Sequence, residues 1–357
     1  MPQTTLIGLA ETDITPSSPI RLNGYGVRRE ETDQVETPLR ARALAIGDEQ
    51  PALVITLENC GVTDAFTGEV AGWINARTGL PTDRLTICYS HTHTAPCLTG
   101  AIPMIFSADI PTNHQVAIDL YTGELLDKVI DISLAALAKR VPGRLSWTQG
   151  HAGFAVNRRS QVGPVDHVMP MIKITDADDN LMALWLSYAC HCTTLGGEHN
   201  FICGDWAGFA QDYIEQDHPG VMTFVSIGCA ADANPFPRRG MTHARQHRED
   251  IAAEVNRLLP GHFTPLSGDP VCRVELIDLP FDTLPPFEEW REKKAAGGPV
   301  GYHAEKWLER MDRGESAPAT HSYPIQTWTF GNDLTMVFLA GEVVADYALR
   351  LRRRYDP

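Results

Sequence analysis

The chain has no excess of base, no paired cysteine spacing, no apolar run long enough for a bilayer and no internal repeat. Each absence removes a class of function. Lys and Arg number 30 against 45 Asp and Glu, a formal net charge of -15 over 357 residues. An acidic surface repels phosphate backbones and anionic headgroups, so nucleic acid and stable membrane insertion are not expected. No stretch reaches the roughly 20 apolar residues that span a bilayer. Met1-Pro2-Gln3-Thr4-Thr5 has neither a basic n-region nor an apolar h-region. It does not read as a signal peptide, and a cytoplasmic location is expected. The eight cysteines are not grouped as a disulfide framework. Cys88 and Cys190 lie inside apolar runs, as reduced, buried thiols do.

What is present is ordinary globular material, with 43% hydrophobic and 21% charged residues. Short apolar runs alternate with longer amphipathic ones, which predicts an α/β fold: a mixed β-sheet core flanked by helices. The expected strands are 42–47, 52–59, 84–90, 144–149, 169–174, 181–190, 221–227, 271–278, 325–330 and 334–340. Each is rich in Val, Ile, Leu or Trp and bounded by polar or Gly/Pro punctuation. The expected helices are 65–77, 117–139, 206–216, 242–259, 287–296, 303–312 and 343–353. The second repeats its apolar residues with a 3.6 period from Ile118 to Leu137. The turn-rich stretch 261–270 reads as a separator of lobes, and 297–302 and 314–318 as surface loops. One continuous domain is favoured, because the candidate site residues come from both ends of the chain.

Four polar segments each follow directly on an apolar strand. Leu85-Thr86-Ile87-Cys88-Tyr89-Ser90 leads to His91-Thr92-His93. With side chains alternating at period 2, both imidazoles would share one face and could bind a metal. Two satisfied histidines near a turn give the same pattern. Leu184–Cys190 delivers His191; nearby Cys192, His199, Cys203 and Asp205 offer an alternative structural zinc site, although their spacing has no CxxC pair. Val225–Ile227 runs into Gly228-Cys229-Ala230-Ala231-Asp232-Ala233-Asn234, where Asp232 is a candidate site residue or a local cap. Met336–Ala340 runs into Gly341-Glu342, where Glu342 is a candidate ligand or a first-turn acid of the terminal helix. Two His and one Glu leave an open position on zinc for water, which ionises near neutral pH and becomes a nucleophile. Strand ends are also where ligand crevices form in α/β folds.

The order and spacing of these segments resemble the neutral/alkaline non-lysosomal ceramidases, specifically their N-terminal catalytic domain. The likeness runs through Gly8, Asp13-Ile14-Thr15-Pro16, Gly24-Tyr25-Gly26, Leu39-Arg40-Ala41-Arg42-Ala43 and His91-Thr92-His93-Thr94-Ala95-Pro96. It continues through Asn157-Arg158-Arg159, Ala189-Cys190-His191, Gly204-Asp205-Trp206-Ala207-Gly208, Ala231-Asp232-Ala233-Asn234-Pro235 and Ala340-Gly341-Glu342. The resemblance implies Zn2+ held by His91, His191 and Glu342, with His93 and Arg158 beside it as donors to a developing oxyanion. Asp232 and Asn234 would orient substrate or ligands. It implies a zinc-dependent amidohydrolase that cleaves an N-acyl amide by metal-activated water, on one ceramidase-like catalytic domain over 1–357. Two alternatives stand beside this: a zinc hydrolase of another ester or amide, and a metal- or ligand-binding protein without catalysis. The expected partner is a small-molecule N-acyl amide; a homo-oligomer is compatible with the sequence. Three departures accompany the likeness. Asn234 stands where the family has a serine, no residue matches the family's tyrosine ligand, and no C-terminal immunoglobulin-like domain follows. The apolar segment 100–110, with Ile102, Met104, Ile105 and Phe106, reads as an acyl-pocket wall or as a buried loop.

Overall fold

Alternation along two adjacent strands sets the layering of the molecule. In 40–46 the residues Ala41, Ala43 and Ala45 face one core while Leu44 and Ile46 face another. In 52–57 the same split places Leu53, Ile55 and Leu57 against Ala52 and Val54. A strand apolar on both faces must be covered on both, and here it is. We describe residues 4–266, 268–316 and 318–355 of a computed structural model.

The strands are β1 (Thr5–Asp13), β2 (Ile20–Arg21), β3 (Glu31–Thr32), β4 (Arg40–Ile46), β5 (Ala52–Leu57) and β6 (Leu85–Tyr89). Then come β7 (Val141–His151), β8 (Ala155–Asn157), β9 (Val168–Asp176), β10 (Leu181–Tyr188), β11 (Met222–Ile227) and β12 (Ala233–Pro235). The last are β13 (Thr264–Leu266), β14 (Val271–Pro280), β15 (Thr320–Phe330) and β16 (Leu334–Leu339). The helices are α1 (Asp64–Thr78), α2 (Thr112–Ala138), α3 (Asp205–Asp217), α4 (Met241–Leu258), α5 (Phe287–Ala296), α6 (Gly298–Asp312) and α7 (Ala345–Tyr355).

The central sheet runs β11-β10-β9-β7-β1-β4-β5-β6, with β13 also paired to β7. Only β5–β6 and β10–β11 are parallel pairs, so the sheet is mixed. Its terminal strands β6 and β11 come back into contact, which requires a strongly curled sheet. Arg42 on β4 reaches across to donate to the Thr223 carbonyl at the start of β11. The outer face is covered by α1 and α2 over one half and by α3 and α4 over the other. The opposite face, with Ile7, Leu145, Ile174 and Trp185, packs against Trp328 and Phe330 of the antiparallel sheet β14-β15-β16. Gly8 of β1 lies under α2 so closely that a Cβ there would meet the Ala136 carbonyl oxygen at 1.8 Å.

All ten expected strands and seven expected helices are present. Two boundary readings are corrected. Segment 261–270 does not separate lobes: β13 forms there and joins the central sheet through β7. Segment 297–302 is not a loop beyond its first residue, since α6 begins at Gly298 with Pro299 in its first turn, where the missing N–H costs nothing. Of segment 100–110, Phe106 lies in the helix-side core with Ile105 packed against it, and Ile102 is exposed. It is a partly buried loop, tied to α6 by Tyr302 and Lys306, both of which bond Asp109. No helix among the described residues is long and apolar enough to cross a membrane.

Candidate metal centre

Curling of the sheet brings the C-terminal ends of β6 and β10 side by side, although neither pairs with the other as a strand. The junction is sealed by a parallel bridge between Thr92 and Cys192, and His93 N–H donates to the Cys192 carbonyl. His91 and His191 thereby meet with ring centroids 4.7 Å apart. His93 lies 4.9 Å from His91 and 5.5 Å from His191. The rings converge, but not through strand alternation. β6 ends at Tyr89, and His91 takes a left-handed φ of 61°, which is strained for a residue with a side chain.

Each ring is aimed by a backbone carbonyl. His91 Nδ1 donates to Cys60, His191 Nδ1 to Ala230 at 2.7 Å, and His93 Nδ1 to Gly24 at 3.0 Å. That places a proton on Nδ1 of each ring and leaves Nε2 as the atom open to a ligand or a second proton. All three Nε2 atoms are buried and without a hydrogen-bond partner. Leaving buried polar atoms unpaired is costly, and those of His91 and His191, which lie together beside a carboxylate, match the needs of a cation.

Glu342, just beyond β16, faces the histidines. Its Oε1 is 3.6 Å from His91 Nε2 and its Oε2 is 3.4 Å from His191 Nε2. Ligand atoms of His91, His191 and Glu342 all lie within 4.8 Å of one another. Cys60, His91 and His93 form an overlapping group, but Cys60 Sγ sits 3.9 Å from Nδ1 of His91, the nitrogen already committed to a carbonyl. The donor set of two imidazoles and a carboxylate suits zinc. The adjoining His191 and His91 imidazoles hold the Glu342 carboxyl far below the ordinary carboxylate range. Burial, and then the neighbouring histidines, keep His93 well below the usual imidazole value; burial also lowers His191. Burial opposes charge on His91, but Cys60 and Glu342 outweigh it and lift that ring to about 10.

Arg158 joins the cluster, its Nη2 being 3.4 Å from Glu342 Oε2. The short β8–β12 ribbon places it, and its N–H donates to the Asp232 carbonyl. Asp232 and Asn234 bond to surrounding residues instead. The Asp232 carboxylate accepts from the Ala345 N–H at 2.9 Å and from Asn157 Nδ2 at 3.2 Å. It caps a helix, but one 113 residues away, and so pins the segment that carries Glu342. Asn234 Oδ1 accepts from Thr193 Oγ1 at 3.2 Å. The alternative zinc set does not assemble: the Asp205 carboxylate is taken by the N–H groups of Leu195 and Trp206, and Cys203 accepts from Asp205 N–H. While His93 is neutral its single N–H is spent on Gly24, which leaves Nε2 as an acceptor.

Sequence reasoning missed the groups that hold the rings. Gly24 has φ 87°, and a Cβ there would meet His93 Cβ at 2.5 Å. Arg28, buried, donates to the carbonyls of Asn23, His93 and His199 and so staples three segments around His93. The Gly24-Tyr25-Gly26 triplet was a legible signal; Arg28 had none.

No family model matches the chain. Neutral ceramidase of Drosophila pseudoobscura pseudoobscura is 24% identical over 247 residues, 63% of this chain and 35% of that protein. Neutral ceramidase of Drosophila melanogaster is 22% identical over 251 residues, with the same two shares. The matched region thus spans about a third of the curated relatives' length. Among solved structures, neutral ceramidase from Pseudomonas aeruginosa superposes with a TM-score of 0.76 at 16% identity, over 99% of this chain and 64% of that one. A ceramidase complexed with C2 gives 0.75 at 15% identity, over 99% and 66%. The fold is that of these proteins.

Proposed function

From a family relationship to the neutral ceramidases, we propose that this chain is a zinc-dependent hydrolase of an N-acyl amide, acting as one catalytic unit from His91 to Glu342. The observation that carries the reading is the meeting of two buried, unpartnered Nε2 atoms, of His91 and His191, with the Glu342 carboxylate, His93 lying beside them. His91, His191 and Glu342 would hold the metal. Zinc bound there would supply Lewis acidity toward a carbonyl oxygen and lower the pKa of water. The chain's own residues do the rest. His93 Nε2 takes a proton from the attacking water and returns it to the nitrogen of the leaving amine as the C–N bond breaks. Its depressed basicity makes it a weak base but a strong acid toward the amine. Arg158 aims its guanidinium at the oxygen that gains charge in the tetrahedral state. Asn234 carries an amide and offers hydrogen bonds, not a nucleophile.

The test is metal analysis of the wild-type protein and of His191→Ala, with turnover of N-acyl amines and N-acyl amino acids. Wild type should carry about one zinc per chain and hydrolyse members of the panel; the variant should lose both. Full zinc occupancy in the variant would refute the ligand set. Zinc without turnover in the wild type would instead favour a binding protein, the second reading that Asn234 at the family's serine position favours.

A further inference from the structure

The mouth of the metal centre reverses the charge of the molecule. The chain as a whole carries 45 acids against 30 bases, yet Arg28 bonds the His93 carbonyl, Arg158 bonds Glu342, and Arg238 bonds Tyr25 beside His93. Their single ion-pair partner among the described residues is Glu342, which bonds Arg158. Arg28 gives its two Nη atoms to three backbone carbonyls, and its Nε, like that of Arg238, is buried without a partner. Arg239 is exposed, and its backbone donates to the Thr194 carbonyl beside Thr193. Arg238 bonds a side chain beside His93 instead. One of its Nη atoms donates to Tyr25 Oη at 3.3 Å, while its Nε is buried and has no partner.

Tyr25 ties that guanidinium to the chemistry. Its hydroxyl donates to the Leu195 carbonyl at 2.9 Å, which fixes the ring, and the ring stands edge-on to His93 with centroids 5.2 Å apart. Arg238 is therefore held one side chain away from the proton-transferring imidazole. A neutral substrate leaves its buried Nε unsatisfied. A planar anion satisfies it, because Nε and one Nη of a guanidinium present two parallel N–H bonds at carboxylate spacing. The basic mouth in an acidic protein also focuses field lines toward anions.

We infer that the amide accepted at this centre carries a carboxylate, placed against Arg238 and Tyr25, as in an N-acyl amino acid. The inference rests on the amidase reading above for the reacting bond, but not for the charge preference.

Binding separates the two. Calorimetric titration of the zinc-loaded protein with N-octanoylglycine and with its neutral counterpart N-octanoylglycinamide needs no turnover. The carboxylate should bind about ten- to hundredfold more tightly, the range of a charge-assisted hydrogen-bond pair, and added salt should shrink that ratio. In Arg238→Gln the ratio should collapse toward unity; in Arg238→Lys, which keeps charge but not the fork, it should fall part way. Circular dichroism and zinc content of both variants show whether they fold, and the lysine variant keeps the test alive if the glutamine variant does not. Equal binding of the two probes by wild type, or a ratio unmoved in both variants, overturns the inference while leaving amide hydrolysis standing. A carboxylate preference without hydrolysis sustains it and refutes the amidase reading.

Discussion

The histidine wall and the carboxylate that faces it are built in different ways. His91 and His191 are buried, 4% and 1% exposed, and sit where β6 and β10 end. Their orientation comes from backbone carbonyls of segments that the central sheet itself fixes. Glu342 is 47% exposed and rides on a short link between β16 and α7. That link is held by three bonds: Tyr323 Oη to the Ala340 carbonyl at 2.7 Å, Ala231 N–H to the Val343 carbonyl at 3.0 Å, and Ala345 N–H to the Asp232 carboxylate at 2.9 Å. The wall is thus inseparable from the fold, while the carboxylate is an attachment that a few contacts secure. Damage to the wall should destroy chemistry; damage to the link should weaken metal and leave the fold.

The sharpest way to test the wall is a change that moves His93 alone. Gly24→Ala introduces a Cβ 2.5 Å from His93 Cβ at a left-handed backbone angle. The ring must leave the Gly24 carbonyl, and a displacement near 1 Å costs on the order of 10²-fold in rate. kcat should fall by that amount while zinc content, set by His91, His191 and Glu342, stays at the wild-type level. Concurrent loss of zinc would mean that the three rings form one unit.

The link is tested at Asp232. Asp232→Ala removes the acceptor for Ala345 N–H and frees the segment bearing Glu342. Groups that orient metal ligands are worth about 10–100-fold in affinity, so zinc Kd, measured by competition with a chelator, should rise within that range. Asp232→Asn retains one acceptor oxygen and should lose less. An unchanged Kd in both variants would show that Tyr323 and Ala231 suffice to hold the link.

The same division decides what could be read from sequence. The strands that deliver His91, His191, Asp232 and Glu342 are apolar runs with clear punctuation, and each is found where its pattern puts it. β1 went unread because Gly8 and Thr12 interrupt its apolar pattern, yet it is central in the sheet; Gly8 is there because α2 presses on it. β8, β12 and β13 span three residues each, too short for a period to register. The convergence of His91 with His191 depends on curling of the sheet, which no local window records. The carbonyls of Gly24, Cys60 and Ala230 orient the rings without leaving any mark in residue identity, since every residue has one. That is why the sequence left open which nitrogen of His93 carries the proton, while the structure sets its Nδ1 against the Gly24 carbonyl.

The smallest effect is a proton count. In the metal-free protein, burial acts to lower His91, but Cys60 and Glu342 prevail and hold the ring near 10. His91 is therefore a cation at pH 7, paired with a carboxylate that stays ionised. His191 and His93, both lowered by burial, are neutral there. A metal needs the neutral Nε2 of His91, so binding must expel one proton from the ligand set, apart from any that a metal-bound water gives up. The sign follows: where His91 is charged and His191 is neutral, affinity rises with pH by about tenfold per unit. Calorimetry of zinc uptake in buffers of different ionisation enthalpy between pH 6 and 8 should return about one proton released. In Glu342→Gln one of the two groups that raise His91 is gone, and the release should fall while both buried rings stay in place. If the variant still released a full proton, Cys60 alone would be holding the charge on His91, and the exposed carboxylate would act on the metal without setting the state of the wall.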